Sequence, residues 1–463
     1  LRAKEVTSDL FHRAAAHAST FRREVADRPQ RPEQTYAEAH QAWQAPTPEQ
    51  GTDALHVIDE LAGLAGPGLH ATTGPRFYGW VIGASHPVGV AADWLTSAWG
   101  QNAGNHTASP AAAAAEAIAE KWLLDILRLP PESSVGFVTG ATVANFVCLA
   151  AARGAVLRQA DWDVERDGLF GAPAVNVLIG EEAHATVFSA LQFLGFGHDR
   201  AVHVAADSQG AMRPEALEKA LAACSGPTIV VTQAGQINTG TFDPHAALVP
   251  MAKAHGAWVH VDGAFGLWAR VSPAQAPLAT GVELADSWAT DGHKWLQTPY
   301  DCGYAIVRDA EAHRRAMVIA ASYLPSVGAG ERDPSHFVPE LSRRARGFAT
   351  WAMLRHLGRQ GIAAMVDRHC RLARLIADRV RAEPGIAVVN DVVLNQVILR
   401  FGDDDARTLA IIARLQADGV AYAGGARWRG LWVMRLSVIG WPTTDDDAVR
   451  TADAIVTAFR ANT

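Results

Sequence analysis

Cysteine is scarce and scattered: Cys148, Cys224, Cys302 and Cys370 are the four in 463 residues, with no C-x-x-C among them. That spacing argues against a disulfide-built scaffold and a structural zinc site, and it fits a reducing, cytoplasmic setting. No lysine- or arginine-rich run occurs, and 41 basic residues stand against 48 acidic ones, a net charge of −7. A nucleic-acid partner needs clustered positive charge to neutralise phosphates, so none is expected. No stretch reaches the roughly 18–20 apolar residues that span a bilayer. The longest apolar run, residues 143–152, is broken by Asn145. The opening Leu1-Arg2-Ala3-Lys4-Glu5 carries an acid and no apolar core, so neither a signal peptide nor a membrane partner is expected.

What is present is enough apolar material for large cores: 49% of residues are hydrophobic and 19% charged, which excludes the disordered classes. The pattern divides the chain into three parts. Residues 1–74 read as a helical arm (8–25, 32–43, 54–65) punctuated by Pro46, Pro48, Gly66, Pro67 and Gly68. Residues 75–347 alternate helices with short apolar strands at 135–139, 175–179, 202–205, 228–232, 258–261, 287–290 and 303–307. That is the signature of an α/β domain with a large, mainly parallel sheet. Residues 348–463 read as a smaller α+β domain, with a long helix at 361–382 and strands at 387–389, 397–401 and 432–438.

Four features fall at predicted strand ends, where open α/β sheets place ligands. Thr139-Gly140-Ala141-Thr142 leads from a strand into a helix, and small residues at a helix N-terminus make an anion cradle. His260-Val261-Asp262-Gly263-Ala264 sets a carboxylate at a strand end, suited to a protonated ring nitrogen. In Asp291-Gly292-His293-Lys294-Trp295 the lysine lies between a strand and a loop, a setting that favours Schiff-base chemistry. His184 opens a helix where an imidazole would stack on a ring. Read singly, each has an ordinary role to set against the chemical one, and for all but Asp262 the ordinary role is the commoner: an N-capped connection, a capping Asp, a snorkelling Lys, a packing His. Their order in one domain carries the signal.

That order, with Thr232-Gln233-Ala234-Gly235-Gln236-Ile237-Asn238-Thr239-Gly240-Thr241-Phe242-Asp243, His260-Val261-Asp262 and Asp291-Gly292-His293-Lys294-Trp295, resembles the group II pyridoxal phosphate (PLP)-dependent amino-acid decarboxylases. Pro75-Arg76-Phe77-Tyr78-Gly79, Ala108-Ser109-Pro110-Ala111 and Ser342-Arg343-Arg344-Ala345-Arg346 support the likeness, which runs from about Ser8 to the end. The resemblance implies a fold-type I PLP-dependent transferase fold and decarboxylation of a free L-amino acid to the amine and carbon dioxide. It implies that Lys294 holds PLP covalently, Asp262 keeps the pyridine nitrogen protonated, Ala264 packs on one ring face and His184 stacks on the other. Ala141 and Thr142, helped by His293, would bind the phosphate. Phe77, Tyr78 and His106 would line the substrate pocket, and two copies would form a homodimer.

The chain departs from the family in three places. Gly140-Ala141-Thr142 has one glycine where many members have two, and Asp291-Gly292 precedes His293 where Asn-Pro or Asp-Pro is usual. Pro334 stands where aromatic-amino-acid decarboxylases carry a proton-donating loop tyrosine; the nearest protonatable side chains are His336 and Tyr323, behind a flexible-looking 326–330 stretch. His336 is therefore the expected proton donor. The alternative outcome is decarboxylation-dependent oxidative deamination to an aldehyde, or another PLP-dependent carbon–carbon lyase reaction. Arg76 reads as a surface arginine or as a partner for an acidic substrate.

Overall fold

The computed structural model describes residues 2–318 and 332–462; Tyr323 and the 326–330 stretch lie outside them. The chain forms two units, one of residues 81–374 with 390–397, the other of 1–80, 375–389 and 398–463.

The first unit holds the large sheet: β1 (Ser134–Val138), β2 (Asn176–Gly180), β3 (Val202–Val204), β4 (Thr228–Gln233), β5 (Trp258–Asp262), β6 (Ser287–Asp291) and β7 (Gly303–Val307), in the order β1-β7-β6-β5-β4-β2-β3. The β3-β2-β4-β5-β6 run is parallel, while β7 is antiparallel to both neighbours. This is the mainly parallel α/β sheet expected, and every strand begins or ends within two residues of its sequence-derived position. β4, β5, β6 and β7 are buried at every position, which is why they read as continuous rather than alternating apolar segments.

Register sets the site. Gly303 pairs with both Val138 of β1 and Asp291 of β6, so these three lie in one row at the carboxyl edge. Gln233 pairs with Asp262, the last residue of β5. The helix Ala141–Arg158 runs back from that edge beneath the sheet. It is apolar nearly all round because it is buried among strands and the neighbouring helices Ala185–Phe193 and Ala310–Met317. Among the described residues it is the helix long and apolar enough to cross a membrane.

The second unit contains β8 (Ile386–Val388), β9 (Gln396–Phe401) from residue 398 on, β10 (Gly424–Trp428) and β11 (Leu431–Ser437), in the order β10-β11-β9-β8, with helices that include Asp405–Asp418 and Asp445–Arg460. β10 is missed by sequence reading because it opens Gly424-Gly425 and lies at the sheet edge. The helix expected at 361–382 spans Arg346–Arg381, interrupted at Gly358 (φ 58°, ψ 177°). Arg76 has neither role read from the sequence. It is buried, paired with Asp447 at 2.7 Å and bonded to the carbonyls of Val420 and Ala26.

Candidate active site

Three strand ends and one helix build the site. The strand β1 stops at Val138, and Gly140, with an extended backbone, turns the chain into the helix that opens at Ala141. The N–H of Ala141 donates to Asp291 Oδ1 at 2.7 Å, so the positive end of the helix dipole already faces an oxyanion. That approach needs glycine on the facing strand: a Cβ on Gly303 would stand 2.5 Å from Gly140 Cα and 3.0 Å from Asp291 Oδ1.

Asp291 also gathers His293 and Lys294, two and three residues further on. Lys294 Nζ lies 2.9 Å from its Oδ2, and His293 Nε2 lies 3.6 Å away. The N–H of Cys302 donates to His293 Nδ1 at 3.3 Å, which puts the ring proton on Nε2, facing the carboxylate. Burial holds His293 below the ordinary imidazole range, so it stands neutral, and the Tyr300 ring lies against it at 4.4 Å between centroids. The lysine loop is braced from behind. Gly83 N–H donates to the His293 carbonyl at 2.9 Å, and Gln297, itself at φ 60°, accepts from Ala84 N–H at 2.9 Å and from His86 N–H at 2.8 Å.

Asp262, at the end of β5, accepts from Ala264 N–H on Oδ1 at 3.2 Å and from the Asn145 amide on Oδ2 at 3.3 Å. Ala264 in turn accepts the Asp291 N–H on its carbonyl at 2.9 Å, tying the two carboxylate positions together. Asp262 shares a cleft with His184, Thr232, Gln233 and Asp243. His184 caps the helix Ala185–Phe193: its Nδ1 accepts from Thr186 N–H at 3.3 Å and meets Thr186 Oγ1 at 2.8 Å. Capping fixes the ring while leaving it at the cleft wall, so the structural and ligand readings of His184 are compatible.

Ala141, Asp262, Ala264, His293 and Lys294 are thus one connected constellation, with Thr142 beside Ala141 on the helix and His184 across the cleft. His106 and His336 belong to a separate cluster. His106 Nδ1 and backbone N–H both meet Asp333 Oδ1, at 2.6 and 2.9 Å, and His336 Nε2 is 3.9 Å from Asp333 Oδ2. Among the described residues no hydrogen bond or ion pair joins His336 to Lys294, Asp291 or Asp262. Pro334 opens the short 3-10 helix Pro334–Phe337. Phe77 and Tyr78 lie in the other unit: Phe77 stacks on Tyr422 at 4.8 Å, and Tyr78 is buried with its hydroxyl 3.1 Å from Thr451 Oγ1. Sequence reading missed Asp291 and Asn145 as site residues. Asp291 was within the quoted motif, whereas Asn145 showed only as a polar break in an apolar helix.

The donor set fits PLP. An amine beside an oxyanion-binding helix terminus, with a carboxylate and an imidazole that line one small cavity, are the kinds of group that its aldehyde, phosphate, ring nitrogen and ring face require.

Known proteins agree. The model of the pyridoxal-dependent decarboxylase conserved domain matches residues 37–401. Tryptophan decarboxylase 1 of Oryza sativa subsp. japonica is 27% identical over 98% of this chain and 93% of its own length. Phenylacetaldehyde synthase of Arabidopsis thaliana is 26% identical over 86% of this chain and 84% of its own. The crystal structure of Oryza sativa TDC with PLP and tryptamine superposes with a TM-score of 0.91 at 24% identity, covering 99% of this chain and 98% of that one. With most of its length inside that conserved domain, the chain belongs to the pyridoxal-dependent decarboxylases, and it is a PLP-dependent amino-acid decarboxylase.

Proposed function

We propose that Lys294 is the amine that carries PLP, that Asp262 faces the ring nitrogen, and that His184 and Ala264 flank the ring. Ala141 and Thr142, with His293, take the phosphate side. The observation that carries this assignment is the single helix face on which Ala141 reaches Asp291, the partner of Lys294, while Asn145 reaches Asp262. When bound, PLP supplies an electron sink for the pair released as the Cα–carboxylate bond breaks. The protein's share is positional. Before PLP is bound Asp291 holds the Lys294 ammonium, and the braced loop fixes the direction of its side chain.

The substrate is a free L-amino acid with an aromatic side chain. The names of the relatives support this, as does the aromatic cluster of His70, Phe77, Trp80 and Tyr422 around one residue assigned to the substrate. Tyr78 and His106 keep their substrate-side assignment from the resemblance, as His336 keeps that of proton donor. A second reading, release of an aldehyde, is favoured by Pro334 at the loop tyrosine position and by the phenylacetaldehyde synthase relative. A homodimer is part of the proposal, supported by Trp94, Leu95 and Trp99 standing half-exposed along the helix Pro87–Trp99. So is a cytoplasmic setting, supported by the four unpaired cysteines.

The test is mass spectrometry of products from the PLP-loaded protein with a panel of amino acids in air. Amine with carbon dioxide, absent in Lys294→Ala, is the expected result. Aldehyde with ammonia and peroxide would replace the first reading by the second, and products unchanged in Lys294→Ala would overturn the lysine assignment.

A further inference from the structure

Behind Asp262 runs a line of buried polar side chains that reaches no cofactor itself. Trp258 Nε1–H donates to Ser287 Oγ at 3.0 Å; Ser287 Oγ meets His260 Nδ1 at 2.9 Å; His260 Nε2 meets Asn145 Oδ1 at 2.9 Å; Asn145 Nδ2 donates to Asp262 Oδ2 at 3.3 Å. Asn145, His260 and Ser287 are wholly buried, beside a core built mainly of valine, alanine, leucine and isoleucine. Polar groups so placed are costly unless every donor and acceptor is matched.

The two ends dictate the direction. An indole N–H can only donate, so Ser287 must accept at one end and spend its own hydroxyl proton on His260 Nδ1. A carboxylate can only accept, so the Asn145 amide must turn its NH2 to Asp262 and its carbonyl to His260. His260 therefore carries its proton on Nε2. Burial, which holds this imidazole far below its ordinary range, agrees with a neutral ring. Protonating it would point two ring donors outward and leave the Ser287 proton without an acceptor.

We propose that Trp258, Ser287, His260 and Asn145 form a one-directional hydrogen-bond chain that positions Asp262 and fixes it as the acceptor for the ring nitrogen of PLP. Asn145 and His260 are positioning residues for the reaction. The inference rests on the reading of Asp262 as the ring-nitrogen partner. Register makes the chain possible: His260 pairs directly with Ser287 across β5 and β6, and His260 and Asp262, two apart on β5, share the face on which Asn145 lies.

The test uses the full chain reconstituted with PLP labelled with nitrogen-15 in the ring. In the native protein the nitrogen-15 shift is expected to report a protonated ring nitrogen. Its absence there would refute the Asp262 reading itself, separately from the chain. Asn145→Leu, which removes the last donor while keeping volume, is expected to move the shift toward the unprotonated value and to raise the PLP dissociation constant about tenfold or more, the loss of one charge-assisted hydrogen bond. Ser287→Ala should move it part of the way. His260→Gln, which can still donate to Asn145, should restore most of it relative to His260→Leu. Cys148→Ala, on the same buried helix and outside the chain, controls for packing and should leave the shift in place. A shift unmoved in both Asn145→Leu and His260→Leu would overturn the proposal, whatever happens to stability. Should those two fail to fold, the Ser287→Ala and His260→Gln shifts decide the matter.

Discussion

The Ala141 N–H and the Asp291 carboxylate, 150 residues apart in sequence, meet at 2.7 Å, and the other oxygen of that carboxylate holds Lys294 at 2.9 Å. One buried anion thus joins the helix terminus to the lysine. Asp291→Asn keeps the shape and removes the charge, leaving the Lys294 ammonium and the helix end uncompensated. Thermal or urea unfolding of the cofactor-free protein should show a loss of about 1–3 kcal/mol. No change in the midpoint would mean that solvent replaces the carboxylate at no cost.

Gly83 lies where the backbone passes closest to the lysine loop. A Cβ there would stand 2.3 Å from the Lys294 carbonyl oxygen and 2.7 Å from that of His293. Neither is the end of a flexible side chain, so the loop itself must shift. Gly83→Ala should therefore fold, bind PLP poorly and lose about a hundredfold in turnover, as expected for a displacement of roughly 1 Å at the reacting group. Kinetics on the reconstituted variant would settle this; turnover within a factor of about two of native would refute the bracing role.

Arg76 makes an ion pair and two carbonyl bonds in the interior of its unit. Truncating it strands the Asp447 carboxylate. Arg76→Ala should cost about 3–5 kcal/mol in denaturant unfolding, with the preference among substrates unaltered. A switch in preference away from acidic amino acids would instead revive a substrate role.

Stability should depend on pH through the histidines buried in neutral form. Burial holds His245, His260 and His313 down to about 3. The unfolded chain binds protons at about pH 6.5, where the folded one does not, so stability is fully present above that value and falls as pH drops toward the folded values. Each contributes a slope of about 1.4 kcal/mol per pH unit. Between about pH 7.5 and 5, urea unfolding should show a loss of stability smaller for His313→Gln than for the native chain by roughly 2 kcal/mol in all, the full slope being reached only below about pH 5.5. Equal slopes would mean that His313 is protonated in the fold.

The sequence alone determined where the strands of the large sheet lie. Val-, Ile- and Trp-rich segments bounded by small residues located all seven strands of the large sheet, and Asp262, Lys294 and Ala141 enter the proposed site because α/β sheets present ligands at strand ends. Local order was enough for these, since a strand end and the loop after it are neighbours in the chain. Tertiary structure alone decided which distant groups meet. Asn145 and Asp262 are separated by 117 residues, and Asn145 and His260 by 115. Their contact depends on the depth at which one helix lies under β5, a result of side-chain volumes along the whole interface. The same holds for Arg76, whose burial against Asp447 depends on a helix 371 residues further on. Periodicity reports which face of an element is buried; the polar partner waiting on that face is chosen by packing.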